Sequence, residues 1–246
     1  MQATGSNSPQ TTYRLSIHAL VDGFSVSVSD SAGRQTQLAQ QTVPDGDNQL
    51  KASVLRAALT DSRVSSRTFT QVELVSHAPS TYVPVELFRR SDAASLYRLT
   101  FSNARVGNAD IRHRILSGMD AVEVFALSQA VAQVVADLFP QAVLKGRAGQ
   151  LIEQAAEADL KSGSVEPCMH VCAEGRELHV CLLAGGQLRY ACSYEAHSDA
   201  DRIYFLMAVW RNLNLDAQKT RCLLSGGTET LKNELTNYIL HVEVCA

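Results

Sequence analysis

The sequence predicts an α/β protein made of two similar halves, each a mixed sheet flanked by helices. Three observations predict this class: a three-stranded meander opens each half, an amphipathic helix follows each meander, and one constant spacing relates the two halves. Alternating apolar and polar residues indicate antiparallel strands with one buried face, and the strands beyond the helices add parallel pairs. The 246 residues, 46% hydrophobic and 19% charged, suffice for two small domains with their own cores.

The first meander is predicted over residues 13–43. Apolar and polar residues alternate up to a tight turn at Asp22-Gly23, and valines alternate with serines beyond it. Apolar residues at helical spacing then predict a helix over residues 49–60. A further strand is predicted over residues 71–76.

The second half repeats this plan from residue 166. Three alternating strands are separated by turns at Glu174-Gly175 and Gly185-Gly186. Ser198 and Asp201 have the spacing of a capping box and precede an apolar helical stripe. The remaining predicted elements are a strand over residues 220–224, a helix capped by Thr228 and a last strand over residues 241–245.

Turn glycines relate the two halves at one offset. Gly175 lies 152 residues after Gly23, and Gly185 lies 152 residues after Gly33. Adding 152 to the residue numbers of the first predicted helix gives positions within the second predicted helix. We therefore infer two structurally similar halves. The predicted organisation is a disordered N-terminal lead-in at residues 1–12, a first lobe at residues 13–164 and a second, smaller lobe at residues 165–246.

A strand–helix–strand–helix run lies between the two meanders. Its first strand, over residues 121–127, is apolar except for Glu123, and the helix after it ends at Pro140. Residues 142–144 and 150–160 are predicted as a further strand and helix. We expect this run to complete the sheet of the first half.

The charge and hydropathy of the chain exclude several classes of function. The net charge is −3, from 22 basic and 25 acidic residues, and no run of Lys or Arg forms a nucleic-acid patch. The longest apolar stretch, residues 203–210, is far shorter than the ~20 residues of a bilayer span. We therefore expect a cytoplasmic protein without nucleic-acid partners and without membrane insertion.

The cysteines are predicted to be reduced, small and buried. All six lie in the last third of the chain, mostly within apolar runs. Cys168, His170 and Cys172 are close in sequence, but alternate residues of a strand project from one face without converging on an ion, so no metal site is expected. Cys172 with His179 is a weaker candidate for a nucleophile and its base, and no catalytic residue is assigned.

Several segments together resemble a known superfamily. They are residues 15–24, residues 120–127, the run Cys222-Leu223-Leu224-Ser225-Gly226-Gly227 and residues 238–244. With the repeated meander, they resemble an uncharacterised Bacteroidetes family of the actin-like ATPase superfamily, whose paired lobes have the ribonuclease H-like fold. Residues 121–160 are also similar to the actin-like type IV pilus assembly proteins.

The resemblance implies where a nucleotide would bind. Active members place Asp-x-Gly at the turn between the first two strands of each lobe, where the carboxylate holds Mg²⁺ and glycine admits the phosphates. The corresponding residues 18–20 and 171–173 lack both groups. Asp22-Gly23 and Glu174-Gly175 follow closely, and they are interpreted either as hairpin turns or as phosphate loops. Ser225-Gly226-Gly227 matches the adenosine-side loop before a helix N-terminus.

Two functions follow from the resemblance. The leading hypothesis is a non-catalytic actin-like scaffold or partner-binding protein with a degenerate nucleotide site, no cofactor, and a protein partner or self-association. The alternative is an ATP-dependent enzyme, a kinase or an ATPase, with a divergent Mg-ATP site between the lobes. That site would use Asp22, Glu174 and the loop Ser225, Gly226 and Gly227, which must then converge in one cleft.

Overall fold

The computed structural model describes residues 12–44, 46–102, 107 and 110–245. The predicted lead-in at residues 1–12 lies outside these residues except for Thr12. The chain divides into two compact units. The first contains the described residues up to Ala78 together with Leu127–Lys145, and the second contains Pro79–Ala126 together with Gly146 and the residues that follow it.

The described residues contain the predicted strands and helices together with two strands and two α-helices that the sequence patterns do not predict. The strands are β1 (Tyr13–Leu20), β2 (Gly23–Asp30), β3 (Gln35–Thr42), β4 (Phe69–Ser76), β5 (Ser80–Pro84), β6 (Ile111–Ile115), β7 (Ala121–Ala126), β8 (Val143–Gly146), β9 (Cys168–Glu174), β10 (Glu177–Ala184), β11 (Gln187–Glu195), β12 (Arg221–Gly226) and β13 (Val242–Cys245). The helices are α1 (Asn48–Thr60), α2 (Ser62–Ser65), α3 (Ala93–Thr100), α4 (Gln129–Leu138), α5 (Arg147–Ser162), α6 (Asp199–Asn212) and α7 (Glu229–Leu235).

The first unit is built on a five-stranded mixed sheet with the order β3-β2-β1-β4-β8. β1 pairs antiparallel with β2 and parallel with β4. Leu15 and Ile17 alternate with polar residues along β1, and both are fully buried. The alternation read from the sequence therefore corresponds to one face of β1 in the core, and α1 packs against α4 in the same unit.

The second unit contains a sheet of the same plan, with the order β11-β10-β9-β12-β13. Ser198 and Asp201 form the predicted capping box at the start of α6, and the Thr228 hydroxyl caps α7. Both helices contribute to an apolar core that includes Met169, Val171 and Trp210. The repeated strand order confirms the prediction of two mixed sheets, each begun by a meander and flanked by helices.

A third sheet, with the order β5-β7-β6, also belongs to the second unit. β7 is buried over its whole length and pairs antiparallel with β5 and β6. The expectation that residues 121–160 complete the first sheet is therefore wrong for β7 and α5, although β8 does join β4. A buried strand that is apolar on both faces apart from one residue needs neighbours at both edges and cover on both faces, but its sequence does not specify which strands provide them.

The compact units divide the chain differently from the predicted limits of residues 13–164 and 165–246. Residues 79–126 and 146–162 precede the predicted boundary but belong to the second unit. Packing explains the difference. Helix α5 packs against β10 and β11, and strand β5 contacts β11, so both elements belong with the second sheet. None of the described helices has the length and apolar character that a membrane span requires.

Candidate functional site

The predicted site residues of the second unit lie at the ends of β9 and β12. Glu174 is the last residue of β9, and Gly226 pairs with Ala173 in the parallel ladder between these strands. The Ser225 hydroxyl donates a hydrogen bond to the carbonyl oxygen of Val171 over 3.3 Å. The fold therefore brings Glu174, Ser225 and Gly226 to one edge of the second sheet.

The Gly226-Gly227 pair is required by the close approach of β9 and β12. Both glycines have left-handed backbones, with φ of +66° and +80°. A Cβ atom on Gly226 would collide with the carbonyl oxygen of Ala173, and the same oxygen accepts a hydrogen bond of 3.1 Å from the amide of Gly227. These contacts explain both glycines without a ligand, and they engage the Gly227 amide within the sheet.

Arg147, the first residue of α5, binds both carboxylate oxygens of Glu174. Its Nε lies 2.9 Å from Oε2, and its Nη2 contacts Oε1. The Nη1 of the same guanidinium donates to the side-chain oxygen of Gln150 over 2.9 Å. Two parallel charge-assisted hydrogen bonds make this a strong and directional pair, so a magnesium ion at Glu174 would have to displace the guanidinium or face its charge.

Asp22 belongs to the first compact unit, where it lies exposed in the turn between β1 and β2. Its backbone carbonyl accepts a hydrogen bond of 2.8 Å from the amide of Val43. A Cβ atom on Gly23 would collide with the carbonyl oxygen of Gln41 in the neighbouring strand. Within their own unit, Asp22 and Gly23 therefore serve a hairpin turn that packs closely on β3.

A cavity of about 240 Å³ lies between α5 and the adjoining face of the second sheet. Small and aliphatic side chains of α5, among them Ala148, Leu151 and Ile152, form one wall. The sulfur and imidazole groups that line it are Cys172, Cys181, Cys192, Cys245, His170 and His179. The periodicity of α5 predicts an apolar face, but it does not specify the sheet that this face covers, so the cavity has no signal in the sequence.

Cys172 and His179 face each other across the antiparallel ladder of β9 and β10, as their proposed pairing requires. However, burial raises the pKa of the Cys172 thiol to about 11, which keeps it protonated at neutral pH. The Nδ1 of His179 lies 2.8 Å from the Ser193 hydroxyl, and its Nε2 lies 3.2 Å from a carboxylate oxygen of Glu177. The pair therefore lacks the thiolate that a cysteine nucleophile needs.

Thiol alkylation checks this assignment. We expect iodoacetamide at neutral pH to modify the exposed Cys245 first and to leave Cys172 and Cys222 unmodified until the chain unfolds. Burial raises the pKa of the Cys222 thiol to about 12, so little thiolate is present at neutral pH. Burial also keeps the reagent away from the sulfur atom. Peptide mass spectrometry after timed quenching gives the order, and Cys172 reacting as fast as Cys245 would contradict it.

Glu123 is a buried carboxylate whose only signal in the sequence is the interruption of an apolar strand. Its side chain is fully buried on β7. It accepts hydrogen bonds from the Ser80 hydroxyl (2.9 Å), the Arg114 Nε (2.8 Å) and the backbone amides of Gly149 (2.9 Å) and Gly146 (3.3 Å). The carboxylate thus joins the third sheet to the first turn of α5, whose macrodipole favours a negative charge there.

Similar solved structures define the class of this chain as the actin-like ATPase fold. A Bacteroides thetaiotaomicron protein with this fold and unknown function has a TM-score of 0.77 at 23% identity, covering 99% of this chain and 94% of that one. The predicted fold class is thereby confirmed. The chain itself belongs to the family described as "Protein of unknown function (DUF3822)", whose model matches residues 3–242.

Two further solved structures match the chain with lower scores. The PilM–PilN type IV pilus biogenesis complex matches with a TM-score of 0.47 at 15% identity, covering 94% of this chain and 88% of that one. A Ppx/GppA family member from Aquifex aeolicus matches with a TM-score of 0.44 at 8% identity, covering 92% of this chain and 70% of that one. No curated protein matches the chain.

Proposed function

We propose that this chain is a partner-binding protein that uses an actin-like fold without nucleotide chemistry. The observation that carries the proposal is the ion pair between Arg147 and Glu174. Magnesium-dependent phosphoryl transfer relies on positioning and on charge neutralisation by the metal. Because the Glu174 carboxylate at the β9–β10 turn is bound to a guanidinium on both oxygens, it is a poor magnesium ligand.

The loop that would contact the adenosine side of a nucleotide is engaged by the protein's own groups. The Gly227 amide donates to Ala173, and the Thr228 hydroxyl accepts from the amide of Leu231 over 3.0 Å. The same hydroxyl donates to Asp199. These contacts supply a structural role for the loop and support a degenerate site.

An aromatic cluster in the second unit supports the partner-binding part of the proposal. Tyr194 on the edge strand β11 stacks on Phe205 of α6, with ring centroids 4.7 Å apart, and Tyr204 beside it is 70% exposed. The hydroxyl groups of Tyr190 and Tyr194 lie 2.9 Å apart. Tyr190, Tyr194 and Phe205 are half-buried against the core, so Tyr204 is the exposed ring of the cluster. Aromatic side chains are enriched in protein interfaces, so a protein partner or a second copy of the chain fits this surface.

Calorimetric titration of the full chain with Mg-ATP and with Mg-ADP tests the proposal. We expect no binding heat at ligand concentrations up to the millimolar range. Micromolar binding that is weakened tenfold or more in Glu174→Gln, but not in a Glu157→Gln control on the exposed side of α5, would establish the ATP-dependent alternative. Light scattering of the same sample distinguishes a second copy from another partner.

A further inference from the structure

Three potential metal ligands from two elements meet in the second unit, beside the cavity. Asp159 extends from α5, and Cys168 and His170 extend from the same face of β9. Their ligand atoms all lie within 4.8 Å of one another. Asp159 and Cys168 are buried, and the His170 side chain is 13% exposed. The third ligand comes from a helix, so the alternation of residues along β9 gives no indication of it.

The geometry points to a zinc site: we propose that Asp159, Cys168 and His170 bind one Zn²⁺ ion. The Asp159 Oδ1 lies 3.3 Å from the His170 Nε2. Oxygen and nitrogen ligands at about 2.0–2.1 Å from a tetrahedral zinc ion are themselves about 3.3 Å apart. The pair is therefore already spaced as two ligands of one ion.

An unpartnered carboxylate oxygen provides an independent observation. The Asp159 side chain is only 5% exposed, and its Oδ2 is buried without a hydrogen-bond partner among the described residues. Buried polar atoms are almost always satisfied, and a carboxylate oxygen without a donor is especially unfavourable. A cation beside Cys168 and His170 that contacts both carboxylate oxygens of Asp159 would satisfy this oxygen.

The donor set favours zinc over other common metals. Mg²⁺ and Ca²⁺ prefer oxygen ligands throughout, whereas zinc accepts the carboxylate, thiolate and imidazole present together here. His170 lines the cavity, which leaves room for water as a fourth ligand. On binding, the Cys168 thiol releases its proton to solvent as the sulfur–zinc bond forms. Arg221 pairs with Cys168 in the ladder of β9 and β12, and its positive charge would repel a cation. That charge is balanced by Glu243, which accepts hydrogen bonds of 3.0 and 3.1 Å from Arg221.

Competition titration of the chelator-stripped full chain with Zn²⁺, against a chromophoric chelator, tests the site. We expect one ion per chain, and an affinity at least tenfold lower in Asp159→Asn, Cys168→Ser and His170→Gln. Cys192→Ser is the matched control, because Cys192 lines the same cavity outside the three-ligand cluster, and its affinity should equal that of the wild type.

Cobalt substitution keeps the test valid if a variant fails to fold. The wild-type chain loaded with Co²⁺ should show a thiolate-to-cobalt charge-transfer band and the intense visible bands of tetrahedral cobalt. Zinc should also raise the midpoint of thermal unfolding of the wild type. Failure to bind zinc, zinc binding that is unchanged in all three ligand variants, or a cobalt spectrum without a thiolate band would each overturn the proposal.

Discussion

Replacement of Glu123 by alanine is expected to lower the free energy of unfolding of the second unit by about 3–5 kcal/mol. The substitution removes one fully buried carboxylate and leaves four donors without their acceptor. Arg114 keeps its second partner, because its Nη1 lies 2.6 Å from Glu153. The Ser80 hydroxyl and the amides of Gly146 and Gly149 lose theirs, and buried unsatisfied groups account for most of the expected loss.

Urea unfolding followed by tryptophan fluorescence measures this effect. Trp210 is the one tryptophan of the chain and is 2% exposed in the core of the second unit, so its emission reports on the unit that contains Glu123. Glu157→Ala is the control. Glu157 forms an exposed pair with Lys161 on the same helix, and its loss should change stability by less than about 0.5 kcal/mol. Equal effects of the two substitutions would contradict a structural role for Glu123.

Replacement of Gly226 by alanine should destabilise the second unit by about 2–4 kcal/mol. Part of the loss is the cost of a left-handed backbone for alanine, because Gly226 has a φ of +66°. The remainder arises because the new Cβ must push away the carbonyl oxygen of Ala173, which weakens its hydrogen bond with Gly227. The same tryptophan signal measures the change.

Gly185→Ala separates the two contributions. Gly185 also has a left-handed backbone, with φ of +56°, but no atom lies within 4 Å of the position of its Cβ. Its replacement should therefore cost only about 1–2 kcal/mol. If both variants lose the same stability, the close approach of β9 and β12 does not explain the Gly226-Gly227 pair.

The repeated architecture was predictable because its signals are local. Gly33 and Gly185 occupy corresponding turns, and both have the positive φ that makes glycine favourable there. The capping box at Ser198 involves residues only three positions apart. Alternation, turn glycines and caps each act within a few residues, so one chain segment contains the information that determines its element.

The sheet to which β7 belongs was not predictable in this way. Residues 121–127 have no polar face to distinguish solvent from core, and their partners in β5 and β6 are set by packing of the whole unit. Glu123 illustrates the difficulty. A single charge in an apolar run is visible in the sequence, but its donors come from β5, β6 and the beginning of α5.

The candidate site was predictable only as far as it depends on strand order. Glu174 and Gly226 end two adjacent parallel strands, so they lie at one edge of the second sheet. Arg147 determines the chemistry of that edge, and Asp159 belongs to the three-ligand cluster. Both residues are on α5. The packing of α5 against β10 and β11 is a long-range contact that helical periodicity does not encode.

Phosphate release from Mg-ATP by the full chain is the most direct test of the claim that this actin-like fold works without nucleotide chemistry. The Arg147–Glu174 pair predicts no release above the buffer rate, and identical traces for the wild type and Glu174→Gln. Magnesium-dependent release of several phosphates per chain, abolished in Glu174→Gln while the variant keeps its tryptophan unfolding transition, would contradict it.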